Sequence, residues 1–278
     1  MPSPDAIACD KLAKLLGTPR CPTILDNRAD AVRADDPRLL PGARAVTDAD
    51  MAPEALARLI GSLSGPVVVA CTEGHARSQW LAALLRSRGL HAEYLEDGYA
   101  GWRADGLPLV DPAKITSRDG KGLSVWVTRS RPKVDRIACP WLIRRFVDPR
   151  AVILYVATAE VAGVAQFCGG MPFDVEDTFW SHRGELCTFD VMLMEFGLST
   201  PALDRLSAIV RGADTARPEL APEAPGLLAA SLGLSRMYSD DLEQLDAGMA
   251  LYDAFYRWCR DATDETHNWP TNRLGGAA

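Results

Sequence analysis

Cys71 stands between an apolar run, Val67-Val68-Val69-Ala70, and the stretch Thr72-Glu73-Gly74-His75-Ala76-Arg77-Ser78, which leads into a helix-forming segment. Consecutive backbone N–H groups in such a strand-to-helix turn point toward one centre, and the helix adds the positive end of its dipole, so the turn can cradle an anion. The same field favours thiolate over thiol at Cys71, with His75 and Arg77 as further positive groups and Gly74 free to take a positive φ. Cys71 is therefore a candidate nucleophile. Thr72, Glu73, Gly74, His75, Ala76 and Arg77 form its candidate anion-binding loop.

Two further groups of residues could do chemistry. Arg129, Arg131, Lys133, Arg136, Arg144 and Arg145 surround Cys139 and give a local excess of positive charge. Such a patch would suit chromate, sulfate or the phosphates of DNA. Further on, Ser181 to Asp190 holds a histidine, two carboxylates and a thiol within ten residues. His182 and Glu185 are close enough to converge on one divalent metal, with Asp135 or Asp214 brought in by the fold, and this donor set suits Fe, Mn or Zn.

The loop does not stand alone. Ile24-Leu25-Asp26-Asn27-Arg28 and then Leu40-Pro41-Gly42-Ala43 precede it, and Leu95-Glu96-Asp97-Gly98-Tyr99-Ala100-Gly101-Trp102 with Gly106-Leu107-Pro108 closes the stretch. In this order the motifs resemble those of the rhodanese family of sulfurtransferases. That resemblance implies a rhodanese-like parallel sheet flanked by helices, with Cys71 forming a persulfide and passing its sulfur on. It implies a small sulfur donor such as thiosulfate, a protein or thiol acceptor and no required cofactor, with Asp26 and Arg28 supporting the loop. Cys71 and Arg77 also satisfy the C-x5-R spacing of cysteine phosphatases and arsenate reductases, where the arginine clamps a tetrahedral oxyanion.

Residues 123 to 262 resemble the C-terminal domain of the chromate-resistance ChrB family, through Thr128 to Phe146, Phe179 to Phe189 and Arg211-Gly212-Ala213-Asp214. This resemblance implies a role in chromate or oxyanion resistance. Two readings follow: a sulfurtransferase-like enzyme, or a chromate-responsive sensor or transcriptional regulator whose basic stretch meets DNA without catalysis.

Short strands alternating with helices must position Cys71. Thr23-Ile24-Leu25, Val67 to Ala70 and His91 to Leu95 read as strands. Pro53 to Ile60 reads as a helix, and a second helix after Cys71 places Trp80, Leu81, Leu84 and Leu85 on one face and stops at Gly89. Later come strands at Leu123 to Val127 and Val152 to Val156, a helix capped by Thr200 with Pro201 at its first position, and a long helix from Ser239. That last helix carries a core stripe of Leu242, Leu245, Met249, Tyr252, Tyr256 and Cys259. The expected division is an N-terminal extension at 1–19, a rhodanese-like domain at 20–112, a linker at 113–122, a mostly α-helical (α+β) domain at 123–265 and a loose tail at 266–278.

At 278 residues the chain is long enough for two cores, and 47% hydrophobic with 24% charged residues is ordinary globular composition. A net charge of −7 argues against general nucleic-acid binding. Seven cysteines without a CxxC pair indicate reduced thiols, and no apolar run reaches the ~18 residues of a membrane span. A cytoplasmic protein without a membrane partner is expected.

Overall fold

The computed structural model describes residues 3–119 and 122–265; the expected tail at 266–278 lies outside them. The first unit is built on a sheet of five strands: β1 (Ala6–Ile7), β2 (Thr23–Asp26), β3 (Arg44–Ala45), β4 (Val67–Ala70) and β5 (Ala92–Leu95). They lie in the order β1-β5-β4-β2-β3 and every pairing is parallel, with Leu25 opposite Val69 and Asp26 opposite Ala70. Its helices are α1 (Cys9–Leu15), α2 (Asp30–Asp35), α3 (Pro53–Gly61), α4 (Ala76–Ser87) and α5 (Gly98–Ala104). This is the expected α/β class.

The side-chain alternation of β4 sets the two faces. Val67 and Val69 join Leu25, Leu56, Leu59, Leu81 and Leu85 in one apolar cluster, so α3 and α4 cover that face. Val68 and Ala70 point the other way and join Ile24, Leu12, Leu95 and Trp102, so α1 and α5 cover the second face. A strand covered on both faces can be apolar at every position, which is why β4 reads as an unbroken run. On α4 the inward positions are Ser78, Leu81, Ala82 and Leu85, and Trp80, expected with them, is turned outward and 51% exposed.

The second unit holds a parallel sheet of three strands, β6 (Val125–Arg129), β7 (Val152–Val156) and β8 (Met171–Pro172), in the order β7-β6-β8. Its helices are α6 (Asp135–Leu142), α7 (Val161–Cys168), α8 (Thr188–Phe196), α9 (Pro201–Asp214), α10 (Ala224–Met237) and α11 (Asp241–Asp261). Pro140 inside α6 lacks the N–H that would bond to the carbonyl of Arg136, and that carbonyl accepts instead from the Tyr155 hydroxyl at 2.7 Å. The chain then passes into a π-turn over Ile143–Val147. Thr200 caps α9 by accepting from the Leu203 N–H at 3.2 Å. In α11 the expected stripe is buried from Leu245 onward, but Leu242 is 51% exposed, because Gln244 takes the inward place in the first turn and donates to the Pro132 carbonyl.

The N-terminal segment corrects the expectation of an extension. β1 pairs with β5 at the sheet edge, and Leu12 and Leu16 of α1 and its following turn are buried in an apolar cluster that continues through Trp126, Trp141, Phe146 and Tyr256 of the second unit. Gly17, at φ +68°, lets the chain pass so close to that unit that a Cβ would stand 2.5 Å from both Phe146 and Tyr256. The linker is likewise fastened. Lys114 pairs with Glu195 at 3.0 Å, Ile115 is buried, and the Ser117 hydroxyl donates to the Gly169 carbonyl.

One core therefore serves both units. Leu12→Ala is expected to cost about 2–5 kcal/mol and to lower the midpoint of a single cooperative unfolding transition followed by tryptophan fluorescence. Two separate transitions, with only one moved, would contradict the shared core.

Candidate functional site

Cys71 follows the end of β4, and α4 begins five residues later at Ala76 with His75 as its N-cap residue. The Cys71 side chain is 5% exposed. Its Sγ lies 3.1 Å from the Ser78 hydroxyl. Burial opposes charge on the thiol, but the Ser78 hydroxyl and the backbone N–H groups of Ser78, Glu73 and His75 outweigh it and hold the thiol below its ordinary value.

The loop keeps this shape because its carbonyls are used elsewhere. The Cys71 and Thr72 carbonyls accept from the N–H groups of Tyr99 and Ala100 at the start of α5, each at 2.8 Å, and the Gly74 carbonyl accepts from the Gln79 side chain at 3.0 Å. The His75 carbonyl, by contrast, turns inward, 4.0 Å from the sulfur and accepting from the Ser78 hydroxyl at 3.1 Å. Gly74 at φ +72° and Gly98 at φ +57° make the close approach: a Cβ on Gly98 would stand 2.4 Å from the Cys71 carbonyl oxygen.

Asp26 and Arg28 lie beside the loop, both 1% exposed, and pair at 2.6 Å. Arg28 also donates to the carbonyls of Asp36 and Arg38 and stacks its guanidinium 3.7 Å from the Tyr99 ring centre. Arg77 does not line the anion loop. Its guanidinium donates to the Asn27 carbonyl at 2.9 Å and to Asp48 at 2.7 Å, so the arginine clamp of the C-x5-R spacing is not set. Glu73 and His75 are exposed and pair with each other at 3.3 Å, which leaves the Glu73 carboxylate facing solvent. Ala76 is the first residue of α4.

The second cluster gathers around His182. Its Nε2 lies 3.2 Å from Asp214, 3.4 Å from Asp174 and 3.6 Å from Asp135. Glu185, expected here, is 83% exposed and pairs with Arg217 at 3.1 Å instead. Asp174 occupies the place that proximity in sequence gave to Glu185. Its N–H donates to the Trp180 carbonyl at 2.8 Å, and that turn brings residue 174 back toward 182.

Asp135 is the deepest member, 1% exposed; its Oδ2 accepts from the Thr188 N–H at 2.7 Å and its Oδ1 has no hydrogen-bond partner among the described residues. Burial, with Asp214 and Asp174 nearby, raises its carboxyl well above the usual range. The Asp174 and Asp214 carboxylates raise the His182 imidazole to about 10. Burial opposes the charge of Asp174, but His182 and Arg129 keep its carboxyl below the usual range.

The expected oxyanion patch is dispersed. Arg129 and Arg136 both pair with Asp174, at 2.9 and 3.3 Å. Arg131 donates to the carbonyls of Ser235 and Tyr238 near the end of α10, and Arg145 forms a two-bond pair with Asp253. Arg144 lies 3.6 Å from Asp246, Lys133 is exposed, and Cys139 is completely buried. These cations are structural fasteners rather than one anion-binding surface. A cavity of about 800 Å³ lies where the two units meet, lined in part by Arg33, Arg44, Arg118 and Arg145, but neither Cys71 nor His182 reaches it.

Sequence reasoning passed over Ser78, Asp174 and Thr188. Ser78 stands seven residues after Cys71, and a hydroxyl in the first turn of the helix after the loop was the available signal. Asp174 and Thr188 had no local signal, because their partners lie across the fold.

Residues 126–259 match the family model described as ChrB, C-terminal domain. Among curated proteins, Protein ChrB of Cupriavidus metallidurans is 31% identical over 154 residues, which is 55% of this chain and 44% of that protein. The match therefore spans less than half of the relative's length. Among solved structures, a rhodanese-like domain protein from Staphylococcus aureus is 22% identical, covering 35% of this chain and 90% of that chain with a TM-score of 0.30. A thiosulfate sulfurtransferase from Pseudomonas aeruginosa is 29% identical, covering 40% of this chain and 20% of that chain with a TM-score of 0.32. Among the described residues no helix is long and apolar enough to cross a membrane.

Proposed function

Because residues 126–259 match the family model of the ChrB C-terminal domain, we propose that the chain is a rhodanese-like sulfurtransferase of chromate or oxyanion resistance in which Cys71 carries the sulfur. The observation that supports this reading is the Cys71 sulfur held between the Ser78 hydroxyl and the N–H groups of Glu73, His75 and Ser78. A group that stabilises a thiolate also stabilises the terminal sulfur of a persulfide, which bears the same charge one atom further out. Arg77 is engaged with Asn27 and Asp48, so the arrangement favours sulfur transfer over phosphate or arsenate chemistry, where a free arginine would have to close on the oxyanion.

In the proposed reaction the Cys71 thiolate attacks the outer sulfur of a sulfane donor. With thiosulfate the S–S bond of the donor breaks, sulfite leaves with the bonding pair, and Cys71 becomes a persulfide anion. A thiophilic acceptor then takes the terminal sulfur; with cyanide, thiocyanate is released and the thiolate returns. Atoms and charge balance in both halves, and neither half needs a cofactor.

The test is cyanide-dependent thiocyanate release from thiosulfate or a persulfide donor. Wild type is expected to turn over, and Cys71→Ser to fall to background. Ser78→Ala should move the midpoint of Cys71 alkylation by iodoacetamide to higher pH, because the thiolate loses a donor. Background rates in wild type with every donor would sink the sulfurtransferase reading.

A further inference from the structure

We propose that Asp135, His182 and Asp214 form a binding site for one divalent transition-metal ion, Mn²⁺, Fe²⁺ or Zn²⁺, within the second unit. One ligand atom from each of the three residues lies within 4.8 Å of the others. They come from three different elements: Asp135 begins α6, His182 lies in the loop before α8, and Asp214 ends α9. Such convergence is not a by-product of a local turn.

Asp135 supplies the second observation. Its carboxylate is 1% exposed and is held in place through Oδ2 by the Thr188 N–H, while Oδ1 has no hydrogen-bond partner among the described residues. A buried carboxylate one of whose oxygens lacks a donor is costly, and a cation bound by that carboxylate, whose Oδ2 faces His182, lowers the cost. The burial is graded toward His182, whose side chain is 40% exposed against 20% for Asp214 and 1% for Asp135. The site is thus a well with one carboxylate at its floor and the imidazole at its mouth, which gives an ion a way in.

Charge distinguishes the ligands from their neighbour. Asp174 also approaches His182, but Arg129 and Arg136 already pair with it. Among the described ion pairs neither Asp135 nor Asp214 is matched with an arginine or lysine; each approaches His182, and Arg136 acts on Asp214 only through space. Once an ion displaces the imidazole proton, two carboxylates and a neutral imidazole around a dication leave the centre neutral, and the mixed oxygen and nitrogen donors suit Mn²⁺, Fe²⁺ or Zn²⁺ better than Ca²⁺. Asp174, oriented by Thr188 and Arg129, approaches the same Nε2 atom at 3.4 Å and borders the site as a carboxylate already engaged by cations.

The experiment strips the purified full-length chain with chelator and titrates it with Mn²⁺ alone, Zn²⁺ alone and, without oxygen, Fe²⁺ alone. At least one ion is expected to bind at one per chain and to raise the melting temperature. Asp214→Asn and His182→Gln should each weaken that ion by more than about tenfold, while Glu185→Gln should bind as wild type. Circular dichroism in chelator checks that the variants fold; should one fail, the other carries the comparison, since both residues are partly exposed. Substoichiometric binding of all three ions by wild type, or equal loss in Glu185→Gln, would overturn the assignment. None of these readouts depends on sulfur transfer by Cys71.

Discussion

Gly74→Ala is expected to disrupt the Cys71 loop more severely than any other single methyl group added to the first unit. A Cβ there would stand 1.9 Å from the Glu96 carbonyl oxygen and 2.6 Å from that of Leu95. Both obstacles are backbone, so no side-chain rotation relieves them, and the residue sits at φ +72°, where an L side chain is strained in any case. The loop must move away from β5, and the N–H groups of Glu73 and His75 move with it. We expect a loss of about 3–5 kcal/mol, read from urea unfolding, together with a shift of Cys71 alkylation to higher pH. Gly65→Ala is the control: φ is +71° there too, but nothing lies within 4 Å, so only the backbone strain of about 1–2 kcal/mol remains. Equal effects at the two glycines, or an unchanged alkylation profile in Gly74→Ala, would show that loop shape does not set the thiol.

Asp26→Ala is expected to have the second large effect. Removing this carboxylate leaves Arg28 as a 1% exposed guanidinium with two carbonyls and the Tyr99 ring for company but no counter-charge. Breaking a buried pair on one side costs about 3–5 kcal/mol, far more than an exposed pair is worth. The damage should spread to the site, because Tyr99, on which Arg28 stacks, donates its own N–H to the Cys71 carbonyl. Replacing both partners, Asp26→Leu with Arg28→Met, is expected to be milder than Asp26→Ala alone, since no buried charge is stranded. Urea midpoints of the two variants decide it; a cost below about 1 kcal/mol for Asp26→Ala would mean the pair behaves as if exposed.

What could be read from the sequence follows from how local each cause is. β4 and β7 were legible because an apolar run needs only its own residues, and β7 spans Val152–Val156 as expected. The cap of α9 was legible for the same reason, with Thr200 next to Pro201. β1 was not, because two residues have no periodicity and become a strand only by lying against Tyr94 and Leu95. The arginines from 129 to 145 read as a patch because their neighbours in sequence are basic. The actual partners of their side chains include Asp174, the Ser235 carbonyl and Asp253, lying 45, 104 and 108 residues away. The His182 cluster was half legible on the same grounds: Asp135, His182 and Asp214 were named, but the turn from Asp174 to Trp180 that excludes Glu185 is a property of the folded chain.

The way α1 is seated bears on inheritance. A helix that packs on the first sheet and on Phe146 and Tyr256 of the second unit makes residues 6–17 a joint part of both. Recombination that exchanged the first unit at the 113–122 boundary would carry in a foreign α1, mismatched to the aromatic surface it must fill. A compatible donor would have to bring that helix along with its complement on α11. The two halves can therefore drift only in step, and the surface between them should record their shared ancestry more strictly than either outer face.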